Sequence, residues 1–343
     1  MALSKVSDAT KVKDLFLKLC TQKDRNKFSL LIVGKTGVGK SSLVNALVGR
    51  EVAEVGHDKK SKTKKVTSYD VDIDGVKIHV WDTPGLQDDD DDEEDEADDG
   101  TRNDEKYLAE MQSEIKEELD LVILCLRMDA TRFRRDDKQT IKILTDRFGK
   151  ELWKNAVIAL TFADKVQDPA RGDREAHFKR EVAAWQDAIN IFLRGKRIKL
   201  DPEWVQSLQL VPTGNYLSLT VLPNGEKWLS NFWIACYTIA RKSATFNLYR
   251  INKGRLGIRW NKKFADVCGG SVVSVSVSGG SELARITPGL DSSKIPPIDL
   301  DEEQQESFWN TTWEAFKEYC SSIGVVLGVI STVGIAILRG FSR

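Results

Sequence analysis

The sequence has few of the residues that bind metal ions or form disulfides. It holds five cysteines and three histidines among 343 residues, and no two cysteines stand at CxxC spacing. This usage predicts no zinc site and favours a reducing compartment. The N-terminal stretch MALSKVSDATKVKDLFLKLC also lacks the apolar core of about 7 to 15 residues that a secretory signal carries, so we do not expect export.

Extremes of composition are absent as well. Hydrophobic residues make up 41% and charged residues 30% of the chain, which excludes collagen-like, wholly disordered and multi-span membrane proteins. The formal net charge of −1 hides one segregated block, since residues 88–99 read DDDDDEEDEADD and include eleven acids. Two interpretations of this acidic run stay open: a solvated loop, or a tether that folds back on the basic stretch Lys227–Lys263.

Apolar residues alternate between strand-like runs and helical spacing over residues 28–242. The predicted strands are FSLLIV, VTSYDVDI, VKIHVW, LVILCLRM, NAVIALTF and SLQLVP, with helical patterns such as GKSSLVNALVG between them. Asp74-Gly75 predicts a tight turn that joins the second and third strands into a hairpin. The pattern predicts an α/β domain with a six-stranded, mostly parallel sheet, one antiparallel hairpin strand and helices on both faces.

The flanking regions differ from this domain. Residues 1–27 carry Val12, Leu15, Phe16 and Leu19 at helical spacing, which predicts an amphipathic N-terminal helix. Residues 243–318 are basic at first and then rich in glycine, serine and proline, which favours a linker. The basic stretch is suited to anionic lipid, and we do not expect nucleic acid as a partner. Residues 319–343 form an apolar tail.

One motif matches GxxxxGK[ST] in full, directly after a predicted strand and at the start of a predicted helix. It consists of Gly34, Lys35, Thr36, Gly37, Val38, Gly39, Lys40 and Ser41, followed by Ser42. Glycines let the backbone approach phosphate closely, and a helix N-terminus adds partial positive charge. We expect Lys40 to bridge the β and γ phosphates and Ser41 to bind Mg²⁺. The motif predicts a phosphate loop, the P-loop, for a nucleoside triphosphate.

A second motif follows the hairpin, where Asp82-Thr83-Pro84-Gly85 resembles the third motif of translation-factor-type GTPases. Asp82 is placed to hold Mg²⁺ through water, and the Gly85 N–H to face a γ-phosphate. Thr63, in SKTKKV, fits the mobile threonine of such GTPases, whose hydroxyl reaches Mg²⁺ only when a γ-phosphate is present. An ordinary polar loop residue is the alternative for Thr63.

The base is assigned from the segment after NAVIAL. Such GTPases carry [NT]KxD there, and this chain has Thr161, Phe162, Ala163 and Asp164. The Asp164 carboxylate is suited to accept hydrogen bonds from guanine N1–H and the 2-amino group, which adenine cannot supply. Phe162 replaces the usual lysine and offers a ring for stacking, so adenine or a relaxed choice stays open. Thr213 and Gly214, in VPTGN, match the loose fifth motif near the guanine O6.

A third stretch narrows the family. Arg132-Phe133-Arg134-Arg135-Asp136-Asp137 resembles the RFTxED box of immunity-associated GTPases (GIMAP proteins) and, more loosely, of chloroplast import-receptor GTPases. Together with DTPGL and TxxD this places the chain closest to septin-like TRAFAC GTPases, over about residues 28–242. The resemblance implies a P-loop GTPase fold, bound GTP or GDP with Mg²⁺, and homodimers that pair across their nucleotide faces. It implies that Arg132 stabilises transition-state charge in trans; a surface arginine that caps the next helix is the alternative.

Two hypotheses for the function follow. The first is a slowly hydrolysing, dimer-activated GTPase that acts as a membrane-attached switch, with Lys40, Thr63 and Arg132 as catalytic candidates. The second is a scaffold locked with GTP or GDP. The water-positioning glutamine of Ras-like GTPases stands one residue after the switch glycine, where this chain has Leu86. An ATP-dependent kinase or transporter is disfavoured by Asp164.

The tail completes the predictions. Ile323–Leu338 is an uncharged run of 16 residues, extended to 20 by Tyr319–Ser322, and a bilayer span needs about 20. This predicts a single-pass C-terminal anchor in the mitochondrial outer membrane or endoplasmic reticulum, with the body in the cytosol. Gly324 and Gly328 form a GxxxG pair that favours tail dimers. A buried apolar helix is the alternative. The sequence does not identify a protein partner.

Overall fold

The computed structural model describes residues 4–6, 27–35, 37–52, 67–73, 75–82, 115, 118–130, 132–166, 172–214, 221–256, 296–322 and 325–327. Its strands are β1 (Ser4–Val6), β2 (Lys27–Val33), β3 (Thr67–Ile73), β4 (Val76–Asp82), β5 (Leu121–Arg127), β6 (Ala156–Thr161), β7 (Gln209–Pro212) and β8 (Val325–Leu327). Its α-helices are α1 (Lys40–Val48), α2 (Arg135–Phe148), α3 (Arg174–Arg194), α4 (Pro202–Ser207), α5 (Trp228–Ile239), α6 (Lys242–Asn252) and α7 (Glu302–Ser322). Short 3₁₀ helices cover Lys150–Asn155 and Ala163–Lys165.

Two compact units make up the chain. The larger comprises Ser29–Val71 and Ile78–Ile239, and the smaller comprises Met1–Phe28, Asp72–Lys77 and Ala240–Arg343.

Six strands form one sheet in the order β3-β4-β2-β5-β6-β7. The pairs β2–β5, β5–β6 and β6–β7 are parallel. Every residue of β6 is buried, as is β5 from Leu121 to Leu126, because central parallel strands are covered on both faces and need continuous apolar runs. The predicted six-stranded, mostly parallel sheet is confirmed.

The hairpin turn between β3 and β4 lies at Gly75. Its φ of 74° is left-handed, and its N–H donates to Asp72 Oδ1 over 3.0 Å. Glycine adopts this conformation without a steric penalty, which is why Asp-Gly predicts such a turn.

The helices of the larger unit bury aromatic and aliphatic residues. Helix α5 packs on β6 and β7, and its Trp233 and Tyr237 rings are stacked with centroids 4.8 Å apart. Helix α2 contacts the following 3₁₀ helix through a buried hydrogen bond, in which Trp153 Nε1 donates to Thr145 Oγ1 over 2.9 Å. The Thr145 hydroxyl donates in turn to the Ile141 carbonyl over 2.7 Å.

Helices α6 and α7 pack together in the smaller unit. The rings of Tyr249 and Phe308 lie 6.0 Å apart between them. Burial lowers the pKa of Lys242, and the nearby carboxylates of Glu314 and Glu318 oppose that shift. The Asn247 side-chain amide donates to the Lys27 carbonyl over 2.8 Å. Both helices fall largely within the stretch that composition alone indicated as a linker. Their buried faces carry aromatic residues, but the glycine and proline content of the neighbouring segments dominated the composition.

The ends of the chain differ from the predictions. An N-terminal helix over residues 1–27 was wrong at Ser4–Val6, which is a strand that pairs in parallel with Val325–Leu327; residues 7–26 lie outside the described residues. The predicted helical tail over 319–338 was wrong at Val325–Leu327, since α7 ends at Ser322 and β8 follows; residues 323–324 and 328–343, which include Gly324 and Gly328, lie outside the described residues. The β-branched residues Val325 and Val326 favour strand over helix.

No helix in the described part of the chain is both long enough and apolar enough to cross a membrane.

The Thr145 hydrogen bonds give a test of the fold. Thr145→Val removes the acceptor of the buried Trp153 indole N–H, and an unsatisfied buried donor costs about 1–3 kcal/mol. We expect the free energy of unfolding, measured by urea denaturation, to fall by that amount. Thr140→Val is the matched control, because the Thr140 hydroxyl is buried on the same helix but only donates to the carbonyl of Asp136. Equal losses in the two variants would contradict this role for Thr145.

Candidate nucleotide-binding site

The P-loop joins β2 to α1 through three glycines in left-handed conformations. Their φ angles are 156° at Gly34, 74° at Gly37 and 90° at Gly39. At Gly34 a Cβ atom would lie 2.7 Å from the Cys125 carbonyl oxygen, so the loop backbone lies directly against β5. Only glycine fits this position in both space and conformation.

Lys40 opens α1 and turns back into the loop. Its side chain is buried, and Nζ donates to the carbonyl oxygens of Gly34 over 2.9 Å and Lys35 over 3.1 Å. The N-cap residue of α1, Gly39, offers no side-chain cap, so N–H groups of the first turn are open to an anion. The half-buried Ser41 and Ser42 follow in that turn. This loop therefore combines an ammonium group, glycine amides and a helix N-terminus, a set of groups that suits a polyphosphate.

The other phosphate and Mg²⁺ candidates are placed only in part. Strand β4 is the neighbour of β2 in the sheet and ends at Asp82, so Asp82 ends the strand next to the one that leads into the P-loop. Val38 is buried, and its N–H donates to the Lys35 carbonyl over 3.4 Å. Thr36, Thr63 and Gly85 lie outside the described residues.

The candidate base-binding segments meet after β6 and β7. The Ala163 N–H donates to the Thr213 carbonyl over 3.0 Å, and the Thr213 N–H donates to the Leu160 carbonyl over 2.8 Å. These bonds bring Asp164, in the 3₁₀ helix, near the segment that contains Thr213 and Gly214. Two parts of the sequence about fifty residues apart, Ala163–Asp164 and Thr213–Gly214, therefore form one wall of the candidate base-binding site, the base wall.

Thr161 makes contacts within the protein that the sequence did not indicate. Its hydroxyl is buried and donates to the Leu126 carbonyl over 3.1 Å, while its methyl group lies beside Gly39 of the P-loop. Its own carbonyl accepts from the Met128 N–H over 2.8 Å. Thr161 thus links the ends of β5 and β6 beneath the P-loop. Its hydrogen bonds stabilise the part of the sheet from which the base wall extends.

Phe162 has cationic neighbours that the sequence did not indicate. It is one of two non-glycine residues with positive φ in the described part of the chain, at 57°. The Arg127 guanidinium carbon lies 4.4 Å and Lys165 Nζ 4.5 Å from the ring centroid. Asp129 accepts two hydrogen bonds from Arg127 and raises the pKa of that guanidinium. In the sequence, the only sign of a role for Arg127 was its position at the end of a predicted strand. In the structure, Arg127 lies beside Thr161 in the register of β5 and β6.

The box at residues 132–137 leads into α2. Phe133 is buried, with its ring edge-on to Trp185 at 6.2 Å and Phe192 at 5.8 Å, both on α3. Arg132 is exposed. Arg134, not Arg132, is the N-cap residue of α2, so Arg132 does not cap this helix. The anchored phenylalanine fixes the backbone that presents Arg132.

Two carboxylates of the box are bound close to α2. Asp137 accepts a hydrogen bond from the Arg134 N–H over 3.0 Å; burial raises its pKa, and that hydrogen bond opposes the shift. Asp136 Oδ2 forms an ion pair with Lys35 Nζ of the P-loop over 2.5 Å. The side chain of Lys35, a member of the phosphate motif, therefore contacts α2.

Comparison with known proteins identifies a family and relatives that the chain resembles. Residues 28–183 match the AIG1 family. The chain is 29% identical over 216 residues to the translocase of chloroplast 34 homolog of Chlamydomonas reinhardtii, an alignment that covers 60% of this chain and 52% of that protein. The chain thus spans about half the length of this relative. The name places the relative in the chloroplast, which gives no support to a mitochondrial or endoplasmic reticulum location here.

Two solved structures resemble the fold. A dimerization-deficient mutant of Toc33 from Arabidopsis thaliana has a TM-score of 0.50 at 23% identity, covering 70% of this chain and 92% of that one, and shows the fold alone. A structure from the chloroplast translocon components atToc33 and psToc159, for whose GTPase activity dimerization is important, has a TM-score of 0.51 at 26% identity. It covers 66% of this chain and 89% of that one.

The contact of Gly34 with β5 gives a prediction. Gly34→Ala places a methyl group against the Cys125 carbonyl in addition to forcing a side chain into left-handed φ. Gly225→Ala is the matched control, because Gly225 has φ 81° and open space around a Cβ. We expect the control to lose about 1–2 kcal/mol of unfolding free energy and Gly34→Ala to lose clearly more, measured by urea denaturation without nucleotide. Equal losses would show that the P-loop does not depend on this contact.

Proposed function

Because residues 28–183 match the AIG1 family, we propose that this chain binds GTP and GDP with Mg²⁺ and hydrolyses GTP. The observation that carries the proposal is the P-loop, where buried Lys40 is held by two loop carbonyls below left-handed glycines. The loop thus combines glycine amides, a helix N-terminus and one ammonium, the groups that phosphate binding requires.

Each part of the site has a role in this proposal. Lys40, Ser42 and the amides of Gly37 and Gly39 bind the phosphates. Ser41 and Thr63 would hold Mg²⁺ directly and Asp82 would hold it through water, and the ion would supply positive charge to the phosphates. Among these, Lys40 has the clearest support, because its ammonium already lies inside the loop.

Guanine selection is assigned to Asp164, whose carboxylate accepts from N1–H and the 2-amino group. The bonds of Ala163 and Thr213 support this placement because they hold Asp164 near Thr213 and Gly214. The cations at Phe162 hold that ring beside Asp164, where it forms part of the candidate base-binding segment. Thr161 supports the P-loop and does not contact the base.

Hydrolysis is proposed to depend on a second copy of the chain. Leu86 cannot orient a water molecule as the glutamine of Ras-like GTPases does. Exposed Arg132, on a backbone anchored by Phe133, is free to stabilise transition-state charge in a partner. The relation between dimerization and GTPase activity in atToc33 and psToc159 supports this assignment.

A scaffold without significant hydrolysis is the second candidate, favoured by Leu86.

We do not include a membrane anchor in the proposal, because Val325–Leu327 is a strand.

The first test concerns the base. Asp164→Asn replaces an acceptor with an amide that suits the extra carbonyl of xanthine. We expect GTP affinity to fall by about tenfold or more, since hydrogen bonds to a charged group contribute about 1.5–3 kcal/mol, and xanthosine triphosphate to bind better than GTP. Fluorescent-nucleotide titration measures both, with Asp187→Asn on the exposed face of α3 as control. Unchanged GTP affinity would refute the assignment of Asp164.

The second test separates hydrolysis from scaffolding. We expect phosphate release per mole of protein to rise with protein concentration and Arg132→Ala to abolish that rise, because arginines supplied in trans contribute on the order of a thousandfold in rate. Arg180→Ala, which removes an exposed arginine on α3, is the control and should behave like wild type. Activity that is independent of concentration and survives Arg132→Ala would refute the role of Arg132; no GTP hydrolysis at any concentration would favour the scaffold.

A further inference from the structure

The ion pair between Lys35 and Asp136 links the box to the P-loop. Asp136 is in the first turn of α2, and Lys35 is the second residue of the phosphate motif, 101 positions earlier in the chain. The Lys35 side chain is 24% exposed and that of Asp136 is 39% exposed. The pair is therefore a specific long-range contact at the rim of the candidate site.

The backbone of Lys35 also holds the phosphate-binding lysine. Its carbonyl accepts from Lys40 Nζ over 3.1 Å and from the Val38 N–H over 3.4 Å. Two contacts therefore run in series from α2 to Lys40: the Asp136 carboxylate to the Lys35 ammonium, and the Lys35 carbonyl to the Lys40 ammonium. The proposed binding of phosphate by Lys40 would extend this series to the nucleotide.

From this chain of contacts we propose that Asp136 is a positioning residue: by holding the side chain of Lys35, it fixes the carbonyl that orients Lys40. The inference rests on the nucleotide site proposed above and adds a specific role to a residue of the box. It differs from the assignment made from the motif alone, in which Lys35 itself binds nucleotide, and the two assignments make opposite predictions.

The local charges favour a pair of this kind. Asp137 lies beside Asp136, and the positive charge of Lys35 acts on the Asp137 carboxylate as well. The N-terminus of α2 adds partial positive charge, which favours carboxylates in this first turn. Because Asp136 is partly exposed, the pair is a modest interaction, and its loss corresponds to about a fivefold change in affinity.

A double-mutant cycle tests the proposal. Lys35→Met, Asp136→Asn and the double variant are titrated with fluorescent GDP and GTP analogues in the presence of Mg²⁺. We expect each single variant to weaken nucleotide binding by about fivefold and the double variant to match the single variants within about twofold, because one interaction is lost in all three. Lys35→Arg keeps a charge that reaches the carboxylate and should retain wild-type affinity.

Asp146→Asn is the matched control. Asp146 lies on the same helix and accepts from Lys142 over 2.7 Å in an exposed ion pair away from the P-loop. We expect it to leave nucleotide affinity unchanged. An equal loss of affinity in Asp146→Asn would mean that removing any α2 carboxylate has this effect, and would overturn the positioning role.

The remaining outcomes separate the two assignments of Lys35. If Lys35 binds phosphate directly, Lys35→Met weakens binding whereas Asp136→Asn leaves it unchanged or strengthens it, because the lysine is released toward the nucleotide. That result, or unchanged affinity in all variants, overturns the proposal. Wild-type protein that binds no nucleotide contradicts the proposed function itself, whereas wild-type binding with an unaffected Asp136→Asn contradicts only the role of the pair.

Discussion

The candidate site depends on how a buried ammonium group is satisfied. Lys40 Nζ is removed from water, and a buried charge is costly unless polar groups surround it. The carbonyls of Gly34 and Lys35 supply those groups, but only because the chain bends back over α1 directly after β2. That bend needs left-handed backbone at Gly34, Gly37 and Gly39. One geometric requirement, a backbone that bends back to place two carbonyls on the Lys40 ammonium, therefore sets the glycine spacing, the position of the lysine and the start of the helix.

The sheet supplies the second half of the site. Strands β2, β5, β6 and β7 are parallel, so their carboxyl ends meet at one edge, where ligands of open α/β sheets bind. Gly34 lies against Cys125 of β5, and Thr161 joins the end of β6 to β5 while its methyl group lies beside Gly39. The P-loop and the candidate base wall thus contact the same two buried strands, and a change in either strand affects both.

Much of the fold was predictable from the sequence because its signals are local. The apolar runs at Leu121–Arg127 and Ala156–Thr161, the turn at Gly75 and the helix after Gly39 each follow from the conformational preferences of neighbouring residues. The ends of the chain were not predictable in this way. Ile323–Leu338 is apolar enough for a helical span on composition, yet Val325–Leu327 pairs with Ser4–Val6, and strand pairing depends on a partner more than three hundred residues away.

By itself, the sequence determined the kind of chemistry: a complete phosphate motif, an acid for the base and an arginine box specify which groups are available. The tertiary structure decided which group faces which. Lys35 pairs with Asp136, the Thr161 hydroxyl is used within the sheet, and Arg127 lies over Phe162. Residue types and spacing fix what a side chain is able to bind. Its actual partner depends on packing between elements distant in sequence, which no local pattern records.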